Sequence, residues 1–210
     1  MNYLENQEIY ENLVMEKIKR AGIENLLSWL KSPDSDFFTA PASTVYHLSE
    51  KGGLCKHSLN VFQRLIRLCK MEYGSEYLRM KEETLAVISL FHDLCKIDCY
   101  DIDYKNVKVT KAEINSVGDS TGFREVWEKV PFYVFKEREP YGHHGSKSVH
   151  ILQKYIKLTD EESVCITNHM GAFPLPANDW TVSKVFEFYP LAFLLHTADS
   201  LASFIDEKVK

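Results

Sequence analysis

Apolar residues recur along most of this chain at helical spacing. Ile9, Leu13 and Ile18 stand among dense charges between Asn6 and Arg20, which predicts an amphipathic surface helix. Gly22 interrupts it. Ile23 to Leu30 reads as a second short helix, stopped near Ser32-Pro33, and 33–43 as a loop. Leu54, Val61, Leu65 and Leu68 then follow at steps of seven, four and three, one continuous face of a long helix from Gly53 to Met71. His57 falls on that face, three after Leu54 and four before Val61. Glu82 to Lys96 is the next expected helix, with Leu85, Ile88 and His92 in register and Asp93 on its inner flank.

The helical pattern breaks after Tyr100. The alternation Asn106-Val107-Lys108-Val109-Thr110 and the aromatic run Pro131-Phe132-Tyr133-Val134-Phe135 predict a small β-hairpin or two strands. Helix returns at Ser146 to Leu158, after the turn Gly142-His143-His144-Gly145. Thr159-Asp160-Glu161-Glu162 is a capping box opening a helix that ends near His169, before Gly171 and two prolines. Pro190 suits the first position of a last helix running to Ile205, with Leu191, Leu195, Ala198 and Ala202 inward and Asp199 beside them. The expectation is one all-α domain over 1–210 with a small hairpin insertion around 103–135. Residues 1–32 form an N-terminal helical extension that packs on its own domain, and 45–205 form the core.

Composition narrows the class of function. The chain has 210 residues, 45% hydrophobic and 26% charged, enough to bury a core. Its net charge of −5 supplies no global attraction to nucleic acid or anionic membrane. The run Leu191 to Leu195 is too short to span a bilayer, and the first residues lack the basic start and apolar run of a signal peptide. Five cysteines without a Cys-x-x-Cys pair fit free thiols and a cytoplasmic setting better than a disulfide framework or structural zinc.

Several titratable residues nevertheless fall on or beside apolar faces: His57, His92, Asp93, His169 and Asp199, with His143 or His144 at a helix start. Burying imidazole and carboxylate together is costly unless each is paired or metal-bound. A divalent cation resolves that cost for all of them at once, because imidazole nitrogen and carboxylate oxygen suit Mn, Fe, Co, Ni or Zn. Lys96, four after His92, is a candidate for holding phosphate.

Three segments carry a family resemblance: Gly52-Gly53-Leu54-Cys55-Lys56-His57-Ser58-Leu59-Asn60-Val61, Leu90-Phe91-His92-Asp93-Leu94-Cys95-Lys96-Ile97, and Ala198-Asp199. Together they resemble the HD-domain metal-dependent phosphohydrolases over roughly residues 45 to 205. The approach Pro41-Ala42-Ser43 through Tyr46-His47 to Gly52-Gly53 looks like the entry to the HD domain of a 3′–5′ exoribonuclease branch. Cys95 stands where the family often has Gly.

The resemblance implies a helical bundle in which His57, His92, Asp93 and Asp199 bind a catalytic metal. Gly142-His143-His144-Gly145 and Asn168-His169-Met170-Gly171 lie where binuclear members carry two further histidines, so His144 and His169 are expected to complete a second site, with Asp93 as bridge. His143 is the alternative ligand or a substrate contact. The implied reaction is hydrolysis of a phosphomonoester or phosphodiester, on a nucleotide or small phosphorylated substrate. One or two ions (Mn, Mg, Fe, Ni or Zn) would serve it, with Asp93 and Lys96 catalytic and Lys96, Arg64 and Lys147 offsetting phosphate charge. A di-iron oxygenase of the same superfamily and a regulatory metal- or nucleotide-binding module are the alternatives. No membrane or long nucleic acid is expected as partner, and the chain is expected as a monomer or weak homo-oligomer. His196 is expected behind the site and His150 on the surface.

Overall fold

The computed structural model describes residues 2–114, 120–138, 141–173, 176 and 179–208. Seven α-helices among them are α1 (Tyr3–Lys17), α2 (Ile23–Leu30), α3 (Gly53–Leu90), α4 (His144–Leu152), α5 (Asp160–Thr167), α6 (Thr181–Phe188) and α7 (Pro190–Leu201). Two strands, β1 (Tyr100–Ile114) and β2 (Ser120–Phe135), pair antiparallel from Tyr100↔Phe135 to Ile114↔Ser120. The chain is thus predominantly helical with one two-stranded sheet. Among the described residues no single helix is long and apolar enough to cross a membrane.

α3 is the axis of the core. Leu54, Val61, Leu65 and Cys69 are fully buried on its first half, and Leu85 to Ile88 with Leu90 on its second. The halves meet at Gly74, whose φ of 80° and ψ of 178° break the helical path. α7 packs against α3 through Leu191, Ala192, Leu195 and Ala198. α1 packs there too, through Asn6, Tyr10, Val14 and the expected Ile18, with Leu13 half-buried against the core; of the expected stripe only Ile9 turns outward, 44% exposed. Tyr10 explains the choice: its ring packs on Phe37, Phe38 and Phe91, and its hydroxyl donates to Leu90 O at 2.8 Å.

Several element bounds depart from the sequence pattern. The segment 72–81, unread in the sequence, is helical and joins the two expected helices into the bent α3. The helix expected to reach Lys96 ends at Leu90, so His92 and Asp93 stand in a turn before a 3₁₀ step at Leu94–Lys96. α4 starts at His144 and ends at Leu152, and α6 was not anticipated. Thr159 does cap α5 reciprocally with Glu162, and Pro190 does open α7, which runs on into a π-helical turn at Ala202–Asp206. The hairpin occupies the expected 103–135 and begins slightly earlier, at Tyr100; its strands run about 50 Å at strand rise and pair chiefly with each other. Residues 115–119 of the expected hairpin, and Pro174 of the two prolines, lie outside the described residues.

One glycine pair sets where α3 begins. Gly52 takes a left-handed φ of 78° as its N-cap. A Cβ on Gly53 would lie 2.1 Å from Leu48 O, so only glycine lets the 42–48 loop close over the start of α3.

Candidate metal centre

His57 projects from the first turns of α3, Asp199 from α7, and His92, Asp93 and His169 from turns just past the ends of α3 and α5. The structure brings these five together. His57 Nε2 lies 3.2 Å from Asp199 Oδ1 and 3.6 Å from Asp93 Oδ2. His92 Nε2 is 3.4 Å from Asp93 Oδ2, and His169 Nε2 is 3.5 Å from Asp93 Oδ1. Two compact groups result, His57–His92–Asp199 and His92–Asp93–His169, with potential ligand atoms within 4.8 Å of one another.

The ring orientations follow from the other nitrogens. His92 Nδ1 lies 2.8 Å from Ser89 O and His169 Nδ1 lies 2.7 Å from Ile166 O. A carbonyl only accepts, so each Nδ1 carries the proton and each neutral ring turns its Nε2 lone pair inward. Ser89 O is a carbonyl left open at the end of α3, and Ile166 O, at the end of α5, takes this bond beside that of the His169 N–H at 3.4 Å. The same two helix ends direct their negative dipole ends toward this region, which favours a cation there. His196 supports the arrangement from behind, its Nδ1 donating to His169 O at 2.7 Å.

The Nε2 atoms of His57, His92 and His169 are buried and have no hydrogen-bond partner among the described residues. Such groups are rarely left alone in a protein interior. Their convergence on two carboxylates is the donor set of a divalent ion, so the residues present fit one.

Electrostatics agree. Burial disfavours the charge of Asp93, but Lys96 and His92 outweigh it and hold the carboxyl well below its usual range. Asp199 is likewise held low, by His57 against the effect of burial. Burial pushes the His57 pKa down, yet Asp199 and Glu207 raise it to about 10. Both aspartates are therefore ionised at neutral pH, and an ion entering here displaces a proton from His57.

Other expected residues divide. Lys96 Nζ sits 2.8 Å from Asp93 Oδ2 and donates to Ala42 O at 2.9 Å, so it belongs to the centre. His144 joins neither ligand group. Its exposed ring stacks on Phe135 (centroids 5.9 Å, 14°), and its pKa is lowered, partial loss of solvation outweighing the opposite pull of Asp93 nearby. His143 is the exposed N-cap of α4. Arg64 is clamped to Asp206, and Lys147 is buried against Glu137 at 2.7 Å and Cys99 Sγ at 3.4 Å, so neither has its charge directed at the five ligands. His150 is exposed and stacks on Tyr141.

The sequence reading missed Glu207, buried against His57 Nδ1, and gave His47 no compelled role. His47 is half-buried 4.0 Å from Glu207 and forms a third potential ion group with His57 and Glu207. No sequence signal marks Glu207, which reads as one more charge in a polar tail. None of the three comparisons, with family models, curated proteins and solved structures, returns a match to this chain.

Proposed function

We propose that this protein is a metal-dependent phosphohydrolase acting on a phosphomonoester or phosphodiester, such as a nucleotide or another small phosphorylated substrate. The observation that carries the reading is the convergence of three unpartnered buried imidazole nitrogens on Asp93 and Asp199, with the Lys96 cation against Asp93. The resemblance of the same positions to HD-domain phosphohydrolases supports it.

A divalent ion would be held by His57, His92, Asp93, His169 and Asp199, and it would supply Lewis acidity toward water and a phosphoryl oxygen. Asp93 turns Oδ2 toward His57 and His92 and Oδ1 toward His169, so both of its oxygens face histidine nitrogens of the group. Lys96 holds Asp93 with one proton and Ala42 O with another. Its third N–H is free in direction to meet a phosphoryl oxygen, where a fixed positive charge stabilises the developing anion. His144 and Phe135 at the edge of the site offer a ring stack to a planar group.

The test is a screen of phosphomonoesters, phosphodiesters and nucleotides with Mn, Fe, Co, Ni, Zn or Mg supplied in turn. Hydrolysis of at least one class, lost in Asp93→Ala, is expected. No hydrolysis with any ion, or an iron-loaded protein whose spectrum changes only with dioxygen, overturns the reading in favour of a binding module or an oxygenase.

A further inference from the structure

One buried acid has no part in the proposed ligand set. Glu207 follows the π-helical turn at the end of α7, where its N–H donates to Ala202 O at 3.0 Å and Lys208 bridges to His47. It is 6% exposed. Both carboxylate oxygens face His57 Nδ1, at 3.1 and 3.0 Å, and Oε1 also accepts from Asn60 Nδ2 at 2.8 Å. The neighbouring clamp of Arg64 on Asp206 fastens this turn to α3. A carboxylate so enclosed is held for a purpose, because burying it costs several kcal/mol unless its bonds are satisfied.

The three histidines are not alike in this respect. His92 and His169 give their Nδ1 protons to neutral backbone carbonyls, and His57 gives its proton to a charged carboxylate. A carboxylate behind a ligating imidazole fixes its tautomer and ring angle and makes the opposite nitrogen a stronger donor.

Resting on the metal-centre reading above, we propose that Glu207 is the positioning residue for His57. Its buried carboxylate holds the Nδ1 proton and aims the Nε2 lone pair, so the His57–His92–Asp199 side of the centre takes the first divalent ion. Glu207 does this from outside the ligand shell.

The experiment uses the full-length chain and Co²⁺ as probe. Affinity is measured against a competing chelator and geometry by the visible ligand-field spectrum, on wild type, Glu207→Ala, Glu207→Gln and His57→Ala. Glu207→Ala is expected to bind Co²⁺ about 10- to 100-fold more weakly, with a shifted spectrum. Glu207→Gln, whose amide oxygen still accepts the Nδ1 proton, is expected to recover most of that loss. Nitrogen-resolved NMR of the zinc-loaded wild type should show a slowly exchanging proton on His57 Nδ1.

Wild-type affinity and spectrum in Glu207→Ala, with His57→Ala weakened, overturn the positioning role and leave the centre standing. A Gln variant as weak as Ala overturns it too, by making Glu207 a ligand itself. If Glu207→Ala does not fold, the NMR signal decides, and its absence overturns the proposal. Undiminished binding by His57→Ala removes the metal centre and this role together. Phosphoester hydrolysis enters none of these readouts, so failure of the hydrolase reading is scored separately.

Discussion

Between Asp199 and Glu207 the His57 ring keeps a proton that water would take from it. Its folded pKa of about 10 lies above the ordinary 6.5, so its contribution to stability is complete below pH 6.5 and is lost as pH rises through about 10. The melting temperature of the protein held in chelator is therefore expected to fall between pH 7 and 10, followed by circular dichroism. Ion affinity must run the other way. Each displaced proton strengthens binding about tenfold per pH unit over the same range, measured by titration at pH 6.5, 7.5 and 8.5. Substitutions separate two roles at the same place. Asp93→Ala removes an anionic ligand and should abolish both ion binding and hydrolysis. Lys96→Ala removes only a cation paired with that ligand, so metal content should hold while the rate falls about 100-fold or more. Metal analysis and rate on the same preparations check both. At this scale much of the centre is legible in the sequence, because a histidine or aspartate on an apolar face is anomalous wherever it stands. Glu207 is not legible. Its partner lies 150 residues away in the chain, and nothing in Asp206-Glu207-Lys208 marks one charge as buried.

Helix ends, more than helix faces, aim the side chains that converge here. The sequence pattern carries His92 on a helix through Lys96, since hydrophobic spacing continues past Leu90. The backbone leaves the helix at Phe91, and the imidazole itself takes the freed Ser89 carbonyl. His169 repeats the device after α5. Spacing alone does not reveal such endings, because they depend on a side chain replacing a backbone donor. α5 is held from its other end by an acid that does two jobs. Glu162 is fully buried, returns to the Thr159 N–H of its own cap at 2.9 Å, and receives both Arg20 guanidinium nitrogens at 2.8 and 2.9 Å. Removing the guanidinium leaves that charge buried without its counter-ion, so Arg20→Ala is expected to cost about 3–5 kcal/mol, read from urea unfolding. Because α5 leads directly to His169, the same variant should also weaken ion binding.

Across the molecule, the helical core and the β-ribbon are nearly separate constructions. The ribbon meets the core at its base, where Lys136 N donates to Cys99 O at 2.8 Å and Tyr100 Oη to Ala42 O at 3.2 Å. Beyond that, Tyr104, Phe123 and Trp127 stand more than half exposed on one face. The sequence disclosed a hairpin and its approximate span, but not how far the strands stay paired: the charged Lys111, Arg124, Glu125 and Glu128 interrupt the apolar positions, so only the stretches 106–110 and 131–135 read as strand. Replacing the segment beyond the Asp103↔Phe132 pair with a two-residue turn should leave the melting temperature within a few degrees and Co²⁺ affinity unchanged. Calorimetry and the same titration check this.

The buried imidazoles of His57, His92 and His169, gathered on two ionised aspartates, carry a consequence for the life of the protein in a cell. An orphaned buried polar atom costs about 1–3 kcal/mol, which His92 and His169 each bear and His57 avoids only by keeping its proton toward Asp199, against the 5–15 kcal/mol by which domains are ordinarily stable. An ion that removes this burden binds the folded chain alone and so draws the equilibrium toward it. Chaperones and proteases continuously sort whatever fraction is unfolded, and a change of 1–2 kcal/mol shifts steady-state abundance several-fold. Metal scarcity would then act first on how many copies survive and only afterwards on how fast each one works, so the supply of the ion would set the amount of this protein as well as its activity.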